Sequence, residues 1–235
     1  MSLTKPELSC GSCALSRICL PANLSCEETR ILDGAVERGR PLRAGARLFR
    51  AGARMDALYA VRSGAAKSCG LTRDGEEYVR AFYLPGEVVG LEGFACGRHP
   101  SDVVALEPMR YCRIPSGRVE RLMATLPGLR RELLRLLGQS LEEAQRMRVE
   151  MSTVDARGRL ARFLVDLSSR LEQRNLSPTH FRLSMSRRDI ARHLGLTLET
   201  VSRTLGSFRR ASWLEVRARY IELLQPAALA SLLVR

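Results

Sequence analysis

Seven cysteines stand in a chain of 235 residues, and three of them fall within ten positions, as Cys10, Cys13 and Cys19 in a C-x2-C-x5-C run. The odd total leaves at least one thiol unpaired. The first twenty positions carry these cysteines where a secretory signal would need an apolar run, so the chain is expected in the cytoplasm, where a disulfide framework does not persist. Metal or redox chemistry is the other use of clustered thiols. Three thiolates close in sequence need a fourth to complete an all-thiolate set, which suits an iron–sulfur cluster or tetrahedral zinc. Cys26, Cys69, Cys96 and Cys112 are all candidates, and spacing does not choose among them. Cys69 sits in a strand-like run and reads as a core residue. A thioredoxin-like reading of Cys10-Gly-Ser-Cys13 fails because no strand precedes it.

A second constellation lies at Ser184–Leu205 and reads as a helix-turn-helix. Ala191 is the small residue where two helices touch, and Gly195 makes the tight turn four positions later. Ile190, Leu194, Leu196, Val201 and Leu205 fill the space between the helices, and Thr197 can cap the second. With those positions removed, the second helix presents Glu199, Thr200, Ser202, Arg203 and Arg209. Such side chains accept from cytosine N4, donate to guanine O6 and N7, or hold phosphate. The alternating segment Leu214–Leu223 predicts a hairpin wing, with Arg217 and Arg219 near its tip for phosphates. His193 reads as a surface residue of the first helix.

Charge agrees with that assignment. The net charge is +13, and residues 152–235 alone hold 15 basic against 7 acidic side chains, +8 in a third of the chain. Only Lys5 and Lys67 among the 38 basic residues are lysine. A surplus of this size suits a polyanionic partner, although charge alone fits nucleic acid, an anionic membrane or a soluble basic protein. At 45% hydrophobic the chain is too apolar for a disordered polyelectrolyte, and no run approaches 18 uninterrupted apolar residues, so no membrane span is expected. The three histidines, His99, His180 and His193, form no triad or metal-ligand spacing, which argues against an enzyme.

These residues need a scaffold. From Arg40 to about Ile114, short alternating runs punctuated by Asp74-Gly75, Pro85-Gly86 and other glycines predict an antiparallel β-roll of roughly eight strands, with Gly90–Pro100 as loop or short helix. Thr125-Leu-Pro127 opens a helix with two apolar stripes. Leu134, Leu137, Leu141, Ala144 and Met151 form one, interrupted by Arg148, and Leu129, Leu133, Leu136 and Met147 form the other. The roll can cover one stripe, and the same helix of a second subunit covers the other most simply. A second helix is expected over Val154–Gln173. The class is α+β, divided as 1–27 (cysteine segment), 28–124 (β-roll sensor), 125–152 (dimerisation helix) and 153–235 (winged helix-turn-helix).

In this order the parts resemble the Crp/Fnr superfamily, and within it the oxygen-responsive fumarate-and-nitrate-reduction regulator (FNR) group. The likeness runs from Cys10 to about Leu224. It rests on the Cys10/Cys13/Cys19 spacing with Cys112 far downstream, Leu58-Tyr-Ala-Val-Arg-Ser-Gly64, Gly97-Arg-His-Pro-Ser101 and Leu194-Gly-Leu-Thr-Leu-Glu-Thr-Val-Ser-Arg203. The resemblance implies that Cys10, Cys13, Cys19 and Cys112 ligate a [4Fe–4S] cluster, with Cys26, Cys69 and Cys96 as spectators. It implies base reading by Glu199, Ser202 and Arg203 in a TTGAT-type half-site of a palindromic promoter bound by a homodimer. It further implies transcription activation through RNA polymerase, under control of oxygen or nitric oxide. Half-sites of such a dimer lie about 34 Å apart. Cyclic-nucleotide members carry an Arg followed by Ser or Thr where this chain has His99-Pro100-Ser101, so a cyclic nucleotide is not expected, although Arg98 stands nearby. FNR-type dimer helices commonly place an acidic residue near the seam. Here the stripe continues through Ala144, with Glu142 and Glu143 off it, which implies a tighter dimer and less complete oxygen control. The competing readings are a Crp-type regulator whose sensor is zinc, haem or a small effector, and a thiol-redox or cluster-carrying enzyme.

Overall fold

Asp74-Gly75 turns the chain between two strands as its sequence predicts: Gly75 has φ +80° and its N–H donates to Thr72 O at 3.1 Å. Turns of this kind cut residues 37–115 into eight strands, β1 (Glu37–Arg38), β2 (Arg47–Phe49), β3 (Ala57–Ser63), β4 (Ala66–Leu71), β5 (Glu77–Tyr83), β6 (Val88–Val89), β7 (Asp102–Ala105) and β8 (Arg110–Pro115). The structure, a computed structural model, describes residues 9–233, which fall into two compact units. The first holds the residues up to Ala66 together with Tyr83–Ser140, and the second holds Lys67–Phe82 together with the residues from Leu141.

In the first unit a four-stranded sheet runs in the order β1-β8-β3-β6, and β2 pairs with β7, all antiparallel. The register sets Cys112 of β8 between Arg38 of β1 and Ala60 of β3. The Gly90–Pro100 stretch holds a 3-10 helix, Leu91–Ala95, and then the buried His99, whose ring stacks on Phe49 with centroids 3.6 Å apart. Ahead of the sheet, α1 (Cys26–Asp33) starts on a capping box of Ser25 and Glu28. Behind it come α2 (Ser116–Thr125) and the first half of α3 (Pro127–Thr153). Leu129 and Leu133 of α3 share a core with Leu20, Leu32, Leu58, Ile114 and Val119, and Leu136 packs against it. Each leucine buried this fully contributes about 1.5–3 kcal/mol. The other stripe stays uncovered in the single chain: Leu134, Leu137 and Leu141 are 59%, 37% and 61% exposed, and Ala144 and Met151 are exposed with them.

The second unit begins with the β4–β5 hairpin and takes up α3 again from Leu141. Asp155 caps α4 (Ala156–Glu172) by accepting from Gly158 N. Then follow β9 (His180–Arg182), α5 (Arg187–Leu194), α6 (Leu198–Arg210), β10 (Leu214–Arg217), β11 (Tyr220–Leu223) and α7 (Pro226–Ser231). The wing is three-stranded, β10-β11-β9, one strand more than the alternation near 214–223 indicates, because Phe181 pairs with Ile221 from forty residues away. The hairpin grips α5 through Lys67, whose ammonium lies 2.6 Å from both Glu77 Oε1 and Asp189 Oδ1 with its side chain 12% exposed. Arg192 reaches Glu77 at 3.0 Å. One expectation is corrected here. His193 is no surface residue: it packs edge-on between Phe82 and Phe163 and donates Nδ1–H to Val79 O at 3.3 Å. Burial outweighs the Val79 hydrogen bond and lowers its pKa to about 4. Among the described residues no helix is long and apolar enough to cross a membrane.

Candidate cysteine site and DNA-reading helix

Cys10, Cys13 and Cys19 lie on a run of tight turns ahead of α1. Cys10 N donates to Asp33 Oδ1 at 2.8 Å, and Cys19 N closes a turn onto Leu15 O at 2.9 Å. Cys112 comes from β8, roughly ninety residues later. All four line one cavity of about 540 Å³, counting the space open to solvent. Its apolar wall is formed by Leu15, Leu20, Pro21, Leu32, Val36 and Ile114, and Arg38 and Arg62 supply the cationic edge. Arg38 donates from Nη1 to Cys112 Sγ at 3.0 Å. Cys26 and Cys96 are exposed and Cys69 is buried, and none of the three lines this cavity.

The cavity favours the protonated thiols of Cys10, Cys19 and Cys112. Burial, with Asp33 adding to it, pushes Cys10 up to about 12 against the opposing pull of Arg38. Burial pushes Cys19 up to about 12 as well, helped by Cys112, Cys13 and Glu132 and opposed by a hydrogen bond from the Leu20 backbone. Cys112 is raised by burial and held back by Arg38 and Arg62. A coordinated metal deprotonates such thiols outright. Among the described residues no group of three or more His, Cys, Asp or Glu side chains converges closely enough to hold one metal ion. The four cysteines line the cavity without converging on one point.

In the helix-turn-helix, Ser186 and Asp189 form a capping box at the start of α5, Gly195 ends it in the left-handed conformation at φ +62°, and Thr197 accepts from Thr200 N to open α6. Ile190, Ala191, Leu194, Val201 and Leu205 are buried, while Leu196 is only half-buried. Glu199, Ser202 and Arg203 stand at i, i+3 and i+4 and therefore share one face. Glu199 and Arg203 are exposed and paired with each other, and Ser202 is half-exposed. Thr200 is drawn into the cap, its hydroxyl 2.8 Å from that of Thr197. Arg209 is exposed at the far end of α6. Arg217 ends β10 and Arg219 lies in the two-residue turn of the wing; both are exposed, Arg219 donating to Ser184 O at 3.3 Å. Sequence reasoning missed Arg157 of α4, whose guanidinium lies 4.8 Å from the Trp213 ring centroid and 5.4 Å from that of Phe208. It also missed Asn23, Glu28 and Glu132. Of these only Glu28 leaves a local signal, the Ser-x-x-Glu of a capping box.

Comparison with known proteins matches both the β-roll and the helix-turn-helix. Residues 39–126 match the cyclic nucleotide-binding domain family, and residues 158–232 match the Crp-like helix-turn-helix domain family. The transcriptional activator protein Anr of Pseudomonas protegens is 42% identical over 226 residues, covering 96% of this chain and 93% of that protein. The fumarate and nitrate reduction regulatory protein of Escherichia coli K12 is 40% identical over 225 residues, covering 96% and 90%. Among solved structures, FixK2 from Bradyrhizobium japonicum superposes with a TM-score of 0.77 at 29% identity, over 84% of this chain and 96% of that one. The relatives are regulators and not enzymes, and the chain belongs with them to the Crp/Fnr family of transcriptional regulators.

Proposed function

We propose that this protein is an FNR-type regulator in which Cys10, Cys13, Cys19 and Cys112 hold a [4Fe–4S] cluster that controls dimerisation and DNA binding. The observation that carries the reading is the shared cavity: three cysteines from the N-terminal turns and one from β8 line it, and the other three cysteines do not. The donor set fits. Four soft thiolates in an apolar wall suit iron–sulfur ligation, and Arg38 and Arg62 offset the negative charge that such a set accumulates. When bound, the cluster supplies reactivity toward oxygen and nitric oxide. The chain's own residues do the rest. Leu134, Leu137, Leu141 and Ala144 form the dimer seam on the uncovered stripe of α3, beginning at the residue after Leu133, which shares a core with Leu20. A marginal dimer needs a bias of only a few kcal/mol to change its population by orders of magnitude.

In the dimer, two α6 helices read half-sites of a palindromic promoter. Arg203 donates to guanine and Glu199 accepts from cytosine, with Ser202 beside them. Thr200, Arg209, Arg217 and Arg219 hold phosphates. The exposed Glu199–Arg203 pair costs little to open, since such pairs are worth about 0–1 kcal/mol. The seam's Ala144 makes the dimer tighter, and its release by oxygen less complete, than an acidic residue there would. Contact with RNA polymerase follows from the activator role. A cyclic nucleotide is left out of the reading because the phosphate-binding position is given to His99, buried at 1% exposure and stacked on Phe49.

Cys112→Ala tests the ligand set. Anaerobically purified wild-type protein should show visible absorption with iron and sulfide, and competition binding should show preference for the palindromic site. The variant should lose both the absorption and the cluster-dependent affinity. A variant that keeps both, or a wild type that carries zinc without iron, would falsify the assignment.

A further inference from the structure

The seam can respond to the cysteine site only through some physical connection between them, and the first unit contains one that neither motif reveals. Glu132 occupies the core-facing stripe of α3 between Leu129 and Leu133, where the helical pattern calls for an apolar side chain, and it is 2% exposed. A carboxylate so placed persists only if its oxygens are filled. Glu132 Oε2 accepts from Asn23 Nδ2 at 2.7 Å and from Arg135 Nε at 3.0 Å, and Oε1 accepts from Arg135 Nη2 at 2.5 Å. Asn23 is the last residue of the 3-10 turn Leu20–Asn23, which begins immediately after Cys19 and whose Ala22 N–H bonds to Cys19 O. A second tie lies one turn back: Glu28 Oε1 accepts from Gly128 N at 2.7 Å, and any side chain at Gly128 would run into that carboxylate.

We propose that Glu132 is a positioning residue that transmits the state of the cysteine site to the dimer helix through Asn23. The inference rests on the reading above, that this site controls dimerisation. Apolar contact between Leu20 and Leu129 or Leu133 is non-directional and lets the turn slide on the helix. A buried charge-assisted hydrogen bond is directional, and it fixes the turn and the first two turns of α3 in one register. Movement of Cys19 carries Asn23 with it, and the bond then breaks, leaving the buried Oε2 of Glu132 with Arg135 in place of two donors. The helix must reseat to relieve that loss, and Leu134 and Leu137, the next residues along, are the start of the seam.

The test measures the dimer dissociation constant by sedimentation for anaerobically purified full-length protein, before and after the iron is stripped with a chelator, beside iron and sulfide content. Wild type should show a large ratio between the two states. Asn23→Ala, which alters neither a cysteine nor α3, should keep its iron and lose about tenfold of that ratio, the size of one charge-assisted hydrogen bond. Glu132→Leu should do the same, and Glu132→Gln, which keeps an acceptor for Asn23, should restore most of it. In the iron-free chain, a thermal-melt cycle of Asn23→Ala with Glu132→Leu should be non-additive. The proposal is overturned if Asn23→Ala keeps the wild-type ratio with full iron. Loss of iron in that variant also overturns it, since Asn23 would then only shape the cysteine site. A wild type without iron, or with a ratio near one, overturns the underlying reading, and it does so before any variant is made.

Discussion

Leu141→Ala separates the two stripes of α3 more sharply than any other single change. The substitution removes three carbons, worth about 2.4 kcal/mol when a leucine passes from full exposure to full burial. Leu141 is still 61% exposed in the single chain, so about 1.5 kcal/mol remains to be gained when a second subunit covers it. A two-fold interface contains the residue twice, which makes about 3 kcal/mol and raises the dimer dissociation constant about 100-fold. The stability of the single chain should hardly change, because the lost contacts belong to the partner. Leu133→Ala is the control. Leu133 is buried within its own unit, so its loss should cost about 2–5 kcal/mol of folding stability and lower Tm. Sedimentation equilibrium of the anaerobically purified protein, paired with denaturant unfolding of dilute monomer, reads both quantities. A Leu141→Ala dimer as tight as wild type, or a loss of monomer stability equal to that of Leu133→Ala, would refute the division of the helix into a core stripe and a seam.

Two further outcomes test the DNA face and the buried imidazole. Arg203→Ala should cost about 1–3 kcal/mol of binding and relax preference at one base pair, whereas Arg217→Ala should weaken every sequence alike; equal effects of the two across a panel of mutated sites would remove the distinction between reading and phosphate holding. His193 is held neutral by burial, with its pKa lowered to about 4 from the usual 6.5, so the unfolded chain binds the extra proton between those values. Its contribution to stability is therefore complete above about pH 6.5 and is lost as pH falls toward 4, by at most ~3 kcal/mol. His193→Gln should flatten the acid limb of a denaturation series between pH 6.5 and 4.5, and parallel limbs would show that another group sets it.

Local spacing carried most of what could be read in advance. The helix-turn-helix is legible because Ala191, Gly195 and Thr197 act on neighbours within a few residues, and the two stripes of α3 are legible because helical period alone sorts them. The cysteine site is legible only in half. Cys10, Cys13 and Cys19 announce themselves, but nothing in their spacing selects Cys112 over Cys26, which is far nearer in sequence. That Cys112 and not Cys26 lines the cavity with them comes from the register of β8 beside β3, where Cys112 pairs with Ala60 across more than fifty residues. His193 shows the same limit from the other side. A histidine on a short helix with charged neighbours reads as exposed, and what buries it are Phe82 and Val79, supplied by a hairpin more than a hundred residues earlier. The tie from Glu132 to Asn23 has no local signature, since the two lie 109 residues apart.

The near absence of lysine gives the Lys67 bridge a practical use. Besides Lys5, which lies outside the described residues, Lys67 is the one side chain in the protein with a primary amine. An amine reacts with acylating reagents only when it is unprotonated and approachable. Two carboxylates 2.6 Å away hold Lys67 protonated and covered for as long as the β4–β5 hairpin and α5 stay together. The rate at which position 67 acquires an acyl mass tag therefore reports how often the helix-turn-helix parts from that hairpin. It can be followed by mass spectrometry on the unmodified natural sequence, with no introduced probe.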